Sequence, residues 1–394
     1  MPNIARVTIF ITFVHLALGA ILPYLPVWLS VTKGLSGVQI GIILASPSFG
    51  SIVVGPLTAA WAEGCKDRRT PIIVLSLLAL IGHALLSVLG PFWPIAIGCF
   101  AAGVARQCLV AFSEATTLHA TAQSRIWPYG RARAIASTGF AISSLGAGAV
   151  LQAYGVDSVY VWFLVAILGT FLCTLWIKAD PVTVHVKSPL VARLKGGVSL
   201  FAKPALLCGV IAAGLIQAAH AFYYGFSSTL WLAQGFTGTQ VGLLWALGVG
   251  VEVLFLAFVV NRLTHVRPEV MILIGGIGSM LRWGAMSFGF GLAVSIPIQM
   301  LHALTFAATH IGFMRLIERE ISPAQRATGQ QLSSSLIMSP IMGLASIGAG
   351  WLYDHVQGAG YWSGFGLAMA GVVLMGVVLV GRRLLKVLWP ISTS

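Results

Sequence analysis

Charged residues are scarce in this chain. Of its 394 residues only 8% are Asp, Glu, Lys or Arg, whereas 58% are hydrophobic. A soluble domain carries about a quarter charged residues, which cover its surface. The composition therefore excludes a soluble globular protein and predicts an all-α integral membrane protein.

Sequence signatures of metal sites and of enzymes are also absent. The cysteines show no CxxC or Cys/His spacing, so we expect neither a disulfide framework nor a metal site. No HExxH, GxSxG or P-loop sequence occurs, and we therefore expect no cofactor and no enzymatic activity. An integral-membrane enzyme is kept only as a remote alternative. The five cysteines are Cys65, Cys99, Cys108, Cys173 and Cys208.

Long apolar stretches, in contrast, fill most of the sequence. Crossing the hydrocarbon core of a bilayer takes about 20 apolar residues per helix. Charge clusters and Pro/Gly breaks delimit twelve such stretches, and we predict that each is a transmembrane helix. They begin near Ile4, Val38, Pro71, Trp93, Arg131, Ser158, Pro204, Thr239, Pro268, Leu292, Arg326 and Gly358.

The Lys and Arg residues fall into alternate loops between these stretches. One side of the membrane receives nearly all of them, and the other side receives Lys33 alone. Because basic loops stay in the cytoplasm, we expect both termini there, in a bacterial inner membrane. The net charge of +13 is explained by this topology and needs no nucleic-acid partner.

The two halves of the chain resemble each other. The sequence SGVQIGIILA at 36–45 matches TGTQVGLLWA at 237–246, and GAG occurs at both 146–148 and 348–350. The longest interruption of the apolar pattern falls between the halves, from Lys178 to Lys203, and it contains five Lys and Arg. This repeat indicates two similar halves joined by a basic loop.

We therefore predict two pseudo-symmetric six-helix bundles, 1–178 and 204–394, joined by a cytoplasmic linker at 179–203. Bundles related in this way hold a substrate near the bilayer midplane, between the halves. Such an architecture is typical of a transporter, and the sequence offers no carbonyl filter or charge ring of a channel. We expect a monomer whose partners are a small-molecule substrate, protons and membrane lipid.

The sequence resembles the major facilitator superfamily, and within it the 3-phenylpropionate transporter group, near the lactose permease and nucleoside–proton symporter branches. The resemblance implies transport by alternating access. Besides the six-plus-six repeat, it rests on five sequence blocks: GPLTAAWAEGCKDRR (55–69), YGRARAIASTGF (129–140), AAHAFYYGFSS (218–228), LRWGAMS (281–287) and QMLHALTFAATHIGFMRLI (299–317).

Several site residues follow from this resemblance. Glu114, Arg133 and Phe140 occupy positions that match the sugar site of lactose permease. His302 matches the histidine of its proton site, but Thr305 stands where the essential carboxylate of that site would be. The block at 55–69 matches the gating motif of the superfamily, which implies gating roles for Glu63, Arg68 and Arg69.

An isolated acid interrupts the apolar run GLLWALGVGVEVLFLAFVV at 242–260. A charge at the membrane centre costs at least ~2.5 kcal/mol, so Glu252 is expected to have a partner or a function. At 1.5 Å per residue, Glu252, Arg282 and His302 lie at similar depths. We expect a water-linked cluster that couples transport to protons, and the alternative is a static ion pair that holds the second half together.

Arg106 lies near the middle of the fourth predicted helix. A guanidinium that faces the substrate would hold a carboxylate by two parallel hydrogen bonds. The alternative is a structural pair with Glu114, which is eight residues further along the same helix. We favour binding of a substrate carboxylate.

Two histidines and two tyrosines complete the candidate set. His15 and His220 lie at equivalent depths in the two halves, and we expect both to line the substrate cavity. Tyr223 and Tyr224 follow His220 by about one helical turn, which would provide an aromatic wall. The sequence thus predicts proton-coupled symport of a small organic acid, and a ring-bearing substrate suits the tyrosines. The alternative is a sugar or nucleoside symporter that uses Glu114, Arg133 and Phe140.

Overall fold

A computed structural model describes residues 3–181 and 199–388, and nearly all of them are helical. The predicted linker falls largely outside the described residues. In chain order the α-helices are α1 (Asn3–Val31), α2 (Gly37–Glu63), α3 (Arg69–Leu86), α4 (Phe92–Thr121), α5 (Tyr129–Tyr154), α6 (Val156–Trp176), α7 (Pro204–Ala218), α8 (Ala221–Ala233), α9 (Gly238–Leu254), α10 (Pro268–Met286), α11 (Leu292–Met300), α12 (Thr309–Glu320), α13 (Arg326–Leu332), α14 (Ser339–Val356) and α15 (Tyr361–Leu388).

Ten helical stretches among the described residues are long and apolar enough to cross a membrane. The prediction of an all-α membrane protein is therefore confirmed. The ten include a stretch at Pro204–Ala233, which joins α7 and α8, and one at Leu292–Glu320, which joins α11 and α12. The stretch at Thr328–Gly381 spans the turn between α14 and α15, so the count of twelve stays a prediction.

The sequence repeat has a structural cause at the starts of α2 and α9. Ser36 and Gln39 form a capping box, in which each side chain bonds the backbone of the other residue. Thr237 and Gln240 form the same box at the start of α9. Each box satisfies two of the N–H groups that a helix start leaves without a partner. The repeated pattern of a hydroxyl residue and a glutamine therefore sets equivalent helix starts in the two halves.

Helices of the first half meet helices of the second half along two glycine seams. At the first seam, a Cβ on Gly350 of α14 would lie 2.3 Å from the carbonyl oxygen of Gly37 in α2. At the second, a Cβ on Gly148 of α5 would lie 2.1 Å from the carbonyl oxygen of Gly238 in α9. No side chain fits at these distances, so the seams depend on glycine.

Polar contacts reinforce each seam. The Asp354 carboxylate accepts hydrogen bonds from the backbone N–H groups of Gly37 at 2.8 Å and Val38 at 2.9 Å. An anion at a helix start also interacts favourably with the helix dipole. At the other seam the Tyr24 hydroxyl donates to the Ser144 carbonyl at 3.1 Å. We call the side of the bundle that carries both seams the glycine face, and the opposite side, where α1 begins and α2 ends, the basic face.

A cavity opens on the side of α2 and α4 toward the basic face. It has a volume of about 330 Å³ and lies between α2, α4 and residues 331–339. Its polar lining comes from uncharged side chains, namely Ser51, Gln107, Gln331, Ser334, Ser335 and Ser339. The described residues therefore form a bundle that is closed along the first seam at the glycine face and has a cavity between α2, α4 and residues 331–339 toward the basic face.

Three π-helical turns interrupt the second half. They cover Phe255–Val259, Ala303–Ala308 and Ser333–Met338. Residues 3–181 contain none. Such turns are rare and often mark functional sites. The first lies three residues after Glu252 and the second directly follows His302, so both rotate the helix downstream of a candidate site residue.

Candidate functional site

A buried cluster around Arg282 occupies the core of the second half. The Arg282 guanidinium donates hydrogen bonds to Gln299 Oε1 at 2.6 Å, to His302 Nδ1 at 2.9 Å and to Thr305 Oγ1 at 3.2 Å. Arg282, Gln299 and Thr305 are fully buried. The cation is thus held by neutral acceptors from the chain that follows α10, and not by a carboxylate.

Glu252 joins this cluster through His302. The Glu252 Oε2 atom lies 3.4 Å from His302 Nε2, and 15% of the Glu252 side chain is exposed. The structure therefore brings the three predicted residues together, with His302 between the acid and the arginine. It shows no direct ion pair of Glu252 with Arg282 among the described residues, so the alternative of a static pair between these two is not formed.

Aromatic side chains surround the Arg282 guanidinium. Its central carbon lies 4.7 Å from the centre of the Tyr223 ring and 4.5 Å from that of Trp283. Contacts of this kind stabilise a desolvated cation. Tyr223 is only 2% exposed, whereas Tyr224 is partly exposed. Of the predicted aromatic wall, only Tyr224 is therefore partly exposed. Tyr223 is buried and packs against Arg282 instead.

His220 does not line the cavity in this structure. It is fully buried, and both of its ring nitrogens have partners. Its Nδ1 lies 3.0 Å from the Gln217 carbonyl oxygen, and its Nε2 lies 3.0 Å from Thr305 Oγ1. The predicted substrate contact of His220 needs correction, because the break between α7 and α8 turns the ring toward the residues that hold Arg282.

A second polar cluster lies in the first half. Glu114 of α4 accepts a hydrogen bond from the Tyr129 hydroxyl at 2.5 Å and pairs with Arg133 Nε at 3.4 Å. Arg133 also bonds His15 Nε2, and the Nδ1 of His15 lies 2.8 Å from the Ile11 carbonyl oxygen. His15 is only 5% exposed, so its bond holds Arg133 of α5 from the buried side.

Phe140 lies apart from this cluster. It follows Arg133 by two helical turns and is only 6% exposed. Its backbone carbonyl lies where a Cβ on Gly19 would have to go, so α1 and α5 pack tightly at this point. The structure therefore places Phe140 in the core between helices, and the expected aromatic contact beside Glu114 and Arg133 is not formed here.

Arg106 has neither of its expected partners in the described residues. The structure shows no hydrogen bond and no ion pair for this half-buried side chain there, and its Nε atom is buried without a partner. Glu114, the structural alternative, is occupied by Tyr129 and Arg133. The nearby groups that interact with its charge are His83 and Cys99, neither of which is a carboxylate. Arg106 is thus a cation inside α4 without an anionic partner among the described residues.

The candidate gating arginines bind acids near the basic-face end of α2, one of them at the start of the predicted linker. Arg69 pairs with Asp67 at 2.8 Å, and Arg68 lies 3.6 Å from Asp180. Partial burial opposes ionisation of Asp67, but hydrogen bonds from Arg69 and from the Asp180 backbone outweigh it, so the pKa of the Asp67 carboxyl is lowered. The third candidate, Glu63, is exposed at the end of α2.

Sequence reasoning missed three polar residues at these sites. Gln299 and Tyr129 bind charged candidates directly, and His310 is an exposed residue of α12 whose charge would interact with both Glu252 and Arg133. The exposure of His310 could not be inferred from spacing, because the π turn at Ala303–Ala308 shifts the helical phase between His302 and His310.

The helical chain that holds these polar clusters matches a known family. The MFS_1 like family matches residues 4–363. The chain belongs to this family. It is therefore a transporter of the major facilitator type and not an enzyme, as its composition and motifs predicted.

Two curated relatives agree with this assignment. A probable 3-phenylpropionic acid transporter of Escherichia coli (strain K12) is 36% identical over 149 residues, which cover 38% of this chain and 39% of that protein. The uncharacterized transporter YwbF of Bacillus subtilis (strain 168) is 24% identical over 70% of this chain and 67% of that protein. The match thus spans about two fifths of the length of the first relative, and the predicted likeness to its group is confirmed.

Solved structures show the same fold. The nucleoside transporter NupG superimposes with a TM-score of 0.81 over 96% of this chain and 99% of that chain, at 16% identity. The POT family transporter PepTSo superimposes with a TM-score of 0.71 over 98% and 99%, at 13% identity. At such identities the likeness concerns the fold alone.

Proposed function

We propose that this chain is a proton-coupled symporter of a small organic acid that works by alternating access. The observation that carries the substrate class is the Arg106 guanidinium, which has no acidic partner among the described residues. A cation inside a membrane helix without a counter-charge is costly, and a substrate carboxylate would remove that cost. The printed name of the Escherichia coli relative, a 3-phenylpropionic acid transporter, supports the same class.

Proton coupling is assigned to the second half. Glu252 is an acid inside a membrane helix that keeps partial exposure and contacts a histidine. Acids in such positions commonly carry protons in transporters. Glu252 would take up a proton on the outer side and release it inside, while His302 and Arg282 hold the carboxyl group in place.

The transport cycle requires two bundles that rock about the substrate. We assign residues 1–178 and 204–394 to these bundles, with twelve spans in all. By the positive-inside rule the basic face lies in the cytoplasm, so the structure corresponds to a state that opens inward. The glycine seams and the Asp354 contact would then close the outer side.

This orientation predicts the outcome of reporter fusions. A reporter enzyme fused at Gly235, between α8 and α9 on the glycine face, should show periplasmic activity. A reporter placed at Ser322, between α12 and α13 on the basic face, should show cytoplasmic activity. The reverse result would overturn the orientation.

Substitution of Arg106 tests the substrate class. Hydrogen bonds to a charged group contribute about 1.5–3 kcal/mol, so Arg106→Gln should weaken binding of a carboxylate substrate by roughly 10- to 100-fold. Binding of the corresponding amide should change much less. Arg106→Lys should restore binding only in part, because an ammonium group cannot form the planar fork. Isothermal titration of the purified protein with an arylpropionate and with its amide measures both.

A sugar or nucleoside symporter is the second candidate. The Glu114–Arg133 pair favours it, because paired acceptors and donors suit hydroxyl groups. Competition separates the two candidates: arylpropionates should displace a labelled substrate under the first proposal, and glycosides or nucleosides under the second. If both Arg106 variants bind the acid as tightly as the wild type does, the second candidate is favoured.

A further inference from the structure

The ring orientation of four of the eight described histidines follows from one type of contact. The Nδ1 atoms of His15, His83, His220 and His355 lie 2.8, 2.8, 3.0 and 2.7 Å from backbone carbonyl oxygens. A carbonyl oxygen only accepts hydrogen bonds, so each of these Nδ1 atoms carries a hydrogen. In a neutral ring the Nε2 atom is then an acceptor.

Their Nε2 contacts agree with this assignment. His15 Nε2 faces the Arg133 guanidinium, which only donates. His220 Nε2 faces the Thr305 hydroxyl, which is able to donate. Both rings are therefore satisfied in the neutral form with hydrogen on Nδ1.

His302 has the opposite arrangement. Its Nδ1 lies 2.9 Å from an NH group of Arg282 and must accept, because a guanidinium has no lone pair to offer. Its ring hydrogen is therefore on Nε2, which lies 3.4 Å from Glu252 Oε2. The tautomer is thus determined by the group on the far side of the ring from the acid.

Arg282 itself has little freedom to move away from His302. Gln299 Oε1 holds its second NH group at 2.6 Å, and the Thr305 hydroxyl lies 3.2 Å from the first. The Tyr223 and Trp283 rings pack against the guanidinium. These contacts fix the direction in which the guanidinium donates.

We propose that Arg282 is a positioning residue that keeps His302 in the neutral tautomer with hydrogen on Nε2, so that Glu252 alone binds the transported proton. The proposal deepens the proposed function and rests on it. A second proton on His302 would have to occupy Nδ1, where the Arg282 cation already donates. His302 thus gives Glu252 a hydrogen bond but does not compete with it for the proton.

No other charged or titratable group that the described residues place around His302 would keep a proton off its Nδ1 atom. Besides Arg282 of α10 and Glu252 of α9, its ring faces His220, at 5.7 Å between ring centres. His220 is held by Gln217 and Thr305. Without Arg282, His302 Nδ1 would be free to bind a proton, and the resulting imidazolium would hold the Glu252 carboxylate in its charged form.

Nitrogen NMR of the full-length protein in lipid bilayers tests the proposal. With ¹⁵N-labelled histidine, protonated and unprotonated ring nitrogens give separate signals, and the His302→Asn variant identifies the His302 signals. From roughly pH 5 to pH 8, Nδ1 of His302 should stay unprotonated. The signals of His15, His83, His220 and His355 should show hydrogen on Nδ1 at neutral pH and serve as internal controls.

Two variants of Arg282 sharpen the test. In Arg282→Met the His302 ring should lose its fixed tautomer and gain a second proton within this pH range, whereas Arg282→Lys should retain the tautomer because an ammonium group only donates. If Arg282→Met folds poorly, the double variant Arg282→Met/Gln299→Met is used in its place, because it also removes the Gln299 acceptor that would otherwise be left without a donor. Hydrogen on Nδ1 in the wild type, or an unchanged tautomer in the Met variants, would overturn the proposal.

This measurement does not depend on transport. If the tautomer is as expected but Glu252 proves dispensable for gradient-driven uptake, the coupling function fails while the role of Arg282 stands. If coupling through Glu252 holds but His302 carries hydrogen on Nδ1, only the role of Arg282 fails.

Discussion

Glu252→Gln is expected to abolish accumulation of substrate driven by a pH gradient while exchange of labelled for unlabelled substrate continues. A glutamine imitates the protonated acid, and it removes the proton release on which net uptake depends. Exchange needs no proton release, so it should survive. Both activities can be measured with the purified protein in proteoliposomes, with and without an imposed pH gradient.

The same substitution at Glu318 is the matched control. Glu318 lies at the basic-face end of α12 with 67% of its side chain exposed, and Glu318→Gln should leave both activities unchanged. A purely structural role for Glu252 predicts loss of folding and of both activities together. The structure argues against that outcome, because Arg282 keeps its bonds to Gln299, His302 and Thr305 when the acid is gone. Normal uptake by a folded Glu252→Gln protein would contradict the coupling role.

Energetic cost explains why part of the site could be predicted from sequence. Polar residues inside apolar helices must find partners, and depth along a helix follows from residue count. These two rules placed Glu252, Arg282 and His302 at similar depths, and in the structure the three residues are in contact through His302. They also identified Arg106, although the eight-residue spacing left a pair with Glu114 open until the structure assigned Tyr129 and Arg133 to that acid.

The direction in which a side chain points could not be predicted in the same way. Depth gives height in the membrane but not the face of the helix, and π turns or helix breaks change the face partway. His220 lies at such a break, between α7 and α8, and it is buried where a cavity position was expected. His310 follows the π turn at Ala303–Ala308 and is exposed, which its spacing from His302 did not indicate. Phe140 is near neither a helix break nor a π turn, and close packing of α1 against α5 buries it.

Gly350→Leu is expected to open the glycine face and to stop transport without unfolding the protein. A Cβ at this position would lie 2.3 Å from the Gly37 carbonyl oxygen, which is backbone and cannot rotate away. Forcing extra atoms into a packed contact costs about 1–3 kcal/mol. Separation of the seam relieves that cost, so the balance between the two conformations should shift by roughly tenfold to 100-fold. Asp354 would lose its contact with the start of α2 at the same time.

The matched control lies on the same helix, two residues earlier. A Cβ on Gly348 would meet nothing within 4 Å, so Gly348→Leu adds the same atoms without touching α2. Spin labels at Gln39 and His355, in a background without the native cysteines, would report the width of the seam by pulsed electron resonance. The distance should increase in Gly350→Leu and stay constant in Gly348→Leu.

An unchanged distance together with normal transport in Gly350→Leu would mean that the seam yields locally, and that the glycine face is not a gate. Opening of the seam with transport intact would mean instead that its closure is not required in the cycle. The two measurements together therefore decide whether the close contact between α2 and α14 is a moving part of the transporter or only a site of tight packing.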